Sequence, residues 1–196
     1  PIGKLGVMIC ADGLFGPEVA RALAMKGAEI LCFPISTTSP DHGYYHLVAR
    51  ARAIDNACYV LSPNLGQTFA EERCLSTGGD SVLVDFEGRV LVAANTPTES
   101  TVQTLFHLDA LRRYRLRTPY GVASIRSEIY APLYQRSYVP PNFFLEEPEQ
   151  SLADERRLRE LTFQRMFDAG IYVPPPENAP ANEKSAPEQL EKADAK

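Results

Sequence analysis

Lys4-Leu5-Gly6-Val7-Met8-Ile9-Cys10-Ala11-Asp12-Gly13 is an apolar run that stops at a cysteine and turns polar. Pro17-Glu18-Val19-Ala20-Arg21 follows, with proline where a helix begins. The pattern predicts a buried strand over Leu5–Ile9, a tight turn, and a helix over Pro17–Lys26 closed by Gly27. Such an elbow displays Cys10 at the C-terminal end of a strand. It leaves backbone N–H groups beyond it free to meet developing negative charge. A cysteine there is also a common small core residue, and the local pattern leaves both readings open.

Strands and helices alternate outward from this elbow. Glu29–Phe33 reads as a strand cut by Pro34. Tyr45–Ala57 reads as a helix with Leu47, Val48, Ala51, Ile54 and Ala57 on one side, and Tyr59–Ser62 as a strand. Ser81–Asp85 and Arg89–Ala93 flank Phe86-Glu87-Gly88 as a hairpin. Thr101–Leu108 alternates like a further strand, and Ala110–Arg117 is a short basic helix. Continuous apolar strands joined by helices, followed by alternating strands, predict a mixed α/β protein whose sheets are covered by helices. Residues 119–150 mix proline, tyrosine and polar residues without a period and predict an extended arm. Residues 151–172 open with a cap-like Ser151 and predict a helix. Residues 173–196, rich in proline, alanine and charge, predict a disordered tail.

At 196 residues the chain is long enough for one ordinary domain, and its net charge of −5 points away from nucleic acid. The basic run Arg112–Arg117 reads as a solvated helix face or an interface. No apolar stretch reaches membrane-spanning length, and no secretory signal is visible, although the chain begins without methionine. Cys10, Cys32, Cys58 and Cys74 lack the paired spacing of a zinc site. Cys32 and Cys58 read as core residues, and a reducing cytoplasm is the default setting. His42 and His46 have no third ligand in view and read as surface residues, so neither metal nor cofactor is expected.

The block Ile9-Cys10-Ala11-Asp12-Gly13, with Pro17-Glu18 and Ala24-Met25-Lys26-Gly27-Ala28-Glu29, resembles the carbon–nitrogen hydrolase (nitrilase) superfamily around its cysteine. Three later blocks match the family in order: Ala51-Arg52-Ala53-Ile54-Asp55-Asn56, Asn64-Leu65-Gly66, and Gly78-Gly79-Asp80-Ser81 running on to Gly88-Arg89-Val90. The resemblance covers residues 1–118 and implies the C-terminal half of an α-β-β-α sandwich. It further implies that Cys10 attacks an amide or nitrile carbon, that the Ala11 N–H serves the oxyanion, and that a glutamate and a lysine upstream complete the machinery. Only nine residues precede Cys10, so this chain is expected to be the C-terminal portion of a longer enzyme and inactive alone. Cys10-Ala11-Asp12 resembles the amidase and carbamoylase branches, and Ala24–Glu29 the aliphatic amidase and formamidase group. The implied substrate is a small amide, with a nitrile or an N-carbamoyl compound as alternatives. The implied assembly is a homo-oligomer embraced by C-terminal arms.

Around the elbow, Asp12 reads as a turn cap, and Glu18 and Arg21 as an ion pair. Arg52 and Asp55 read as supports of their helix. Ser36 and Thr37 are candidate pocket residues, and Asn64 stands evenly between substrate contact and loop hydrogen bonding. Two rival classes remain: a class I glutamine amidotransferase-like hydrolase using His107 as base, and a non-catalytic assembly or binding module.

Overall fold

The computed structural model describes residues 2–37, 42–66, 68–70, 73–75, 78–118, 122–135 and 152–174. Two compact units, Pro1–Arg126 and Ser127–Lys196, divide the chain.

The first unit opens with β1 (Leu5–Val7), then α1 (Ala11–Leu14), α2 (Glu18–Met25), β2 (Ile30–Cys32), α3 (His42–Asn56) and β3 (Tyr59–Ser62). A separate hairpin, β4 (Thr68–Ala70) with β5 (Arg73–Leu75), precedes β6 (Val82–Val84), β7 (Val90–Ala93) and α4 (Leu108–Arg117). The main sheet has the order β1-β2-β3-β6-β7, with β1, β2 and β3 parallel and β6 and β7 antiparallel. Parallel strands need crossovers, which α2 and α3 supply, whereas β6 and β7 need only the turn at Asp85–Arg89. Gly88 takes φ +81° there, where a β-carbon would stand 2.5 Å from Ile54 Cδ1. The Asp85 carboxylate accepts the Glu87 and Arg89 N–H groups at 2.9 and 2.8 Å, completing the turn.

One sheet face, with Met8, Leu31, Phe33, Val60, Val82 and Val84, is buried against Ala20 and Ala24 of α2 and Ala49 and Ala53 of α3. The alanines let the helices approach closely, and each large side chain buried there contributes roughly 1.5–3 kcal/mol. The opposite face buries Ile30, Tyr59 and Phe86 beneath Leu111 of α4. Leu5, Val7 and Ile9, alternate residues sharing that face, stay 51%, 59% and 60% exposed. Helices α2 and α3 cover one face of the main sheet, as in one half of an α-β-β-α sandwich, and α4 lies on part of the other. Among the described residues β1 is an edge strand, and the strand expected to be buried is open on one face.

Two expectations are corrected here. Thr101–Leu108 is not a strand. Phe106 stacks on Tyr59 at 4.3 Å, and no strand among the described residues offers residues 101–107 a ladder. The alternation read as strand is that of an extended segment with one side against an aromatic cluster. The basic run on α4 is not simply a solvated face. Arg112 Nε donates to Glu29 Oε1 at 2.7 Å, and Arg115 donates to the carbonyls of Ala57 and Ala28 at 2.8 and 2.6 Å. These contacts cap strand and helix ends, so two arginines fasten α4 to the sheet.

Part of the region expected as an extended arm is helical. A 3-10 turn occupies Val122–Ser124, and α5 spans Ser127–Tyr134 with Glu128 in its first turn, where the helix dipole favours an acid. Residues 119–121 and 136–150 lie outside the described residues. In the second unit, α6 spans Leu152–Asp168, inside the helix expected over 151–172. The tail expected to be disordered lies outside the described residues from 175 onward.

Candidate active site

β1, β2 and β3 end together. The register Val7↔Cys32↔Leu61 brings Cys10, Pro34-Ile35 and Pro63-Asn64 to one sheet edge, the carboxyl edge at which open α/β sheets bind ligands. Cys10 takes φ 47° and ψ −108°, a left-handed backbone for a residue that carries a β-carbon. Strain of this kind costs on the order of 1–3 kcal/mol and persists only when neighbours enforce it. Its N–H donates to Pro34 O at 2.9 Å, and its carbonyl accepts from Gly13 and Leu14 at 3.1 and 3.0 Å. The Asp12 carboxylate accepts the Ile9 N–H at 2.9 Å, closing the turn. Cys10 is half-buried, whereas Cys58 is fully buried and its thiol is pushed up by desolvation. Cys32, half-buried, is raised by the same cause. Ala11 opens α1, so its N–H has no acceptor within the helix.

Arg52 Nε donates to Gly13 O at 3.0 Å and ties α3 to the elbow. Asp55 points outward, exposed. Glu18 is exposed and Arg21 half-buried, with Arg21 Nη1 buried and without a hydrogen-bond partner. The ion pair expected between them is not made at that nitrogen.

A cleft of about 510 Å³ opens at the same edge, walled by Pro34, Asn64, Gly66, Asp80, Thr98 and Glu99 among others. Cys10 does not line it but is bonded to Pro34, which does. Asn64 is buried and both ends of its amide are engaged. Oδ1 accepts the Thr37 N–H at 3.1 Å, and Nδ2 donates to Gly79 O at 2.8 Å. Asn64 therefore braces the loops that form the wall. Thr37 is half-buried within this brace, and Ser36 is exposed beside it.

The contacts of Tyr45 and His46 with the Gly79–Asp80 loop are not legible in the sequence. Tyr45 is fully buried, and its O–H reaches Gly79 O and Asp80 O, both at 3.0 Å. Burial and the nearby Asp80 carboxylate push this phenol up to about 12. His46 is not a surface residue, because it pairs with Asp80 at 3.3 Å. These contacts span more than thirty positions, and nothing local announces them. His107 opens α4 and meets the Tyr59 hydroxyl through its backbone. Tyr59 lies level with Leu5, five residues of strand from Cys10, or about 16 Å at strand rise. His107 is thus at the wrong end of the sheet to serve as base, and the amidotransferase-like reading falls.

The family model "Carbon-nitrogen hydrolase" matches residues 1–116. The chain is 37% identical over 122 residues to human deaminated glutathione amidase, covering 61% of this chain and 36% of that protein. It is 34% identical over 113 residues to the probable nitrilase C965.09 of Schizosaccharomyces pombe, covering 58% and 40%. The crystal structure of a carbon–nitrogen hydrolase from Helicobacter pylori superposes with a TM-score of 0.57 at 27% identity, covering 69% of this chain and 50% of that one. The chain spans less than half the length of the two curated relatives. With its strand order, its elbow and the matched span in agreement, the chain belongs to the carbon–nitrogen hydrolase family.

Proposed function

We propose that the protein hydrolyses a small amide to a carboxylic acid and ammonia, with Cys10 as nucleophile. The observation that carries this reading is the left-handed backbone of Cys10 at the end of β1, braced by Pro34 O and Asp12. Such strain gathers where a side chain must be presented rather than packed. The Cys10 thiolate adds to the amide carbon, and the carbonyl electron pair moves onto oxygen, where the Ala11 N–H meets it. One preorganised donor of this sort is worth about 10²–10³ in rate. Delivery of the thiol's proton to the nitrogen lets the collapse expel ammonia and leave a thioester on Sγ. Water then adds to the thioester, releasing the acid and restoring the thiol. A free thiol is mostly protonated at neutral pH, so the reaction needs a proton acceptor beside it. The resemblance assigns that base, and the lysine that completes the oxyanion site, to polypeptide preceding this segment. That polypeptide packs on the open face of Leu5, Val7 and Ile9, and the assembled enzyme is a homo-oligomer in a reducing cytoplasm. Amide is preferred over nitrile because a curated relative at 37% identity, human deaminated glutathione amidase, bears an amidase name.

Ammonia release from formamide, short aliphatic amides, N-carbamoyl amino acids and nitriles tests this in the complete enzyme, with intact mass read for an acyl adduct on Cys10. Amides are expected to react, and Cys10→Ala to lower the rate by about 10³ or more. Undiminished turnover in Cys10→Ala, or turnover of nitriles alone, removes the reading.

A further inference from the structure

His46 and Asp80 stand 34 residues apart and meet at the wall of the cleft. His46 Nε2 lies 3.0 Å from the Asp80 carbonyl oxygen and 3.3 Å from Oδ2. Both neighbours are acceptors, so this nitrogen carries a proton and donates it. The side chains are 20% and 12% exposed, enough burial for the contact to escape most screening. Tyr45, one residue before, stacks edge-on against the imidazole at 4.7 Å and bonds the same loop through its hydroxyl. The remaining Asp80 oxygen accepts the Asn95 N–H at 2.7 Å.

The loop so held takes an unfavourable shape. Asp80 has φ 55°, and the preceding residues approach their neighbours closely through N–H bonds from Gly78 to Thr37 O and from Gly79 to Leu65 O. Gly79 O is also the acceptor for Asn64 Nδ2. A chain of contacts thus leads from His46 through Asp80 and Gly79 to Asn64 and Thr37, beyond the ends of β3 and β2.

We propose that His46 and Asp80 form a positioning pair that clamps the Gly78–Ser81 loop to α3 and thereby sets the cleft wall at the reactive edge. Their role in catalysis rests on the hydrolase reading above, whereas the clamp itself does not.

Hydrogen exchange on the full chain, read at the Gly78, Gly79 and Asp80 amides, tests the clamp. His46→Ala is expected to speed exchange there about tenfold while the β2 and β3 amides stay near their parent rates, as local opening requires. His46→Gln keeps an N–H donor of similar reach and is expected to return exchange to within about threefold of the parent. Equal acceleration at every amide overturns the assignment, as does a His46→Gln chain that exchanges as fast as His46→Ala. An exchange pattern as expected in a protein that hydrolyses no amide upholds the clamp and defeats the hydrolase reading alone.

Discussion

Gly13 lies against the ring of Phe33 so closely that a β-carbon there would stand 2.6 Å from Cε2. Phe33 is wholly buried between sheet and helices and has nowhere to retreat. The missing side chain at position 13 lets α1 lie directly against Phe33, the residue that follows β2.

Gly13→Ala is accordingly expected to lower stability by about 1–3 kcal/mol through overpacking, measured as a shift in urea midpoint. Adding Phe33→Leu should recover part of the loss, because the aliphatic side chain leaves room for the new methyl. No recovery would mean that the cost lies elsewhere than in this contact.

Arg52 holds the same turn through Gly13 O. Truncation to alanine leaves that carbonyl short of a donor, so Arg52→Ala should cost about 1–2 kcal/mol. The Cys10 alkylation rate should change in the same variant, since the elbow loses a brace. A rate equal to that of the parent would show that Arg52 does not shape the elbow.

Glu29 gives a pH signature. Hydrogen bonding from Arg112 holds its carboxyl below the ordinary 4.5, against the opposing effect of burial. Because folding lowers this pKa, the stability it brings is complete above the unfolded value and drains away as pH falls through the folded one. The gap in urea midpoint between the parent and Glu29→Gln should therefore be constant near neutrality and narrow below about pH 4.5. A gap that persists at pH 3 would contradict the ion pair.

Thiol labelling separates the cysteines. At neutral pH iodoacetamide should modify the half-buried Cys10 well before Cys58, which is buried and whose thiol is pushed up by desolvation. Peptide mass spectrometry after short exposure reads the order. Cys58 should react only once denaturant opens the core.

The central elements were legible because their signals are local. The apolar run into Cys10, the proline before α2 and the glycine at the β6–β7 turn each act within a few residues. What stayed hidden depends on partners distant in sequence. The arginines of α4 look like a charged face until Glu29, Ala28 and Ala57 are brought to them. Asn64 could not be assigned until Thr37 and Gly79 came to either end of its amide. His46 looked superficial for the same reason, its aspartate lying on a loop 34 residues on. Thr101–Leu108 has the alternation of a strand, but alternation reports a half-buried extended chain, and a ladder needs a neighbour as well.

The upper half of one sheet face has a practical consequence. Greasy side chains at Leu5, Val7 and Ile9, open to water along an edge whose backbone groups have no ladder among the described residues, make this polypeptide adhesive. In dilute buffer it should bind hydrophobic dyes strongly and scatter light increasingly as sulfate is added. Purified by itself, it will behave as a solubility problem before it behaves as a catalyst.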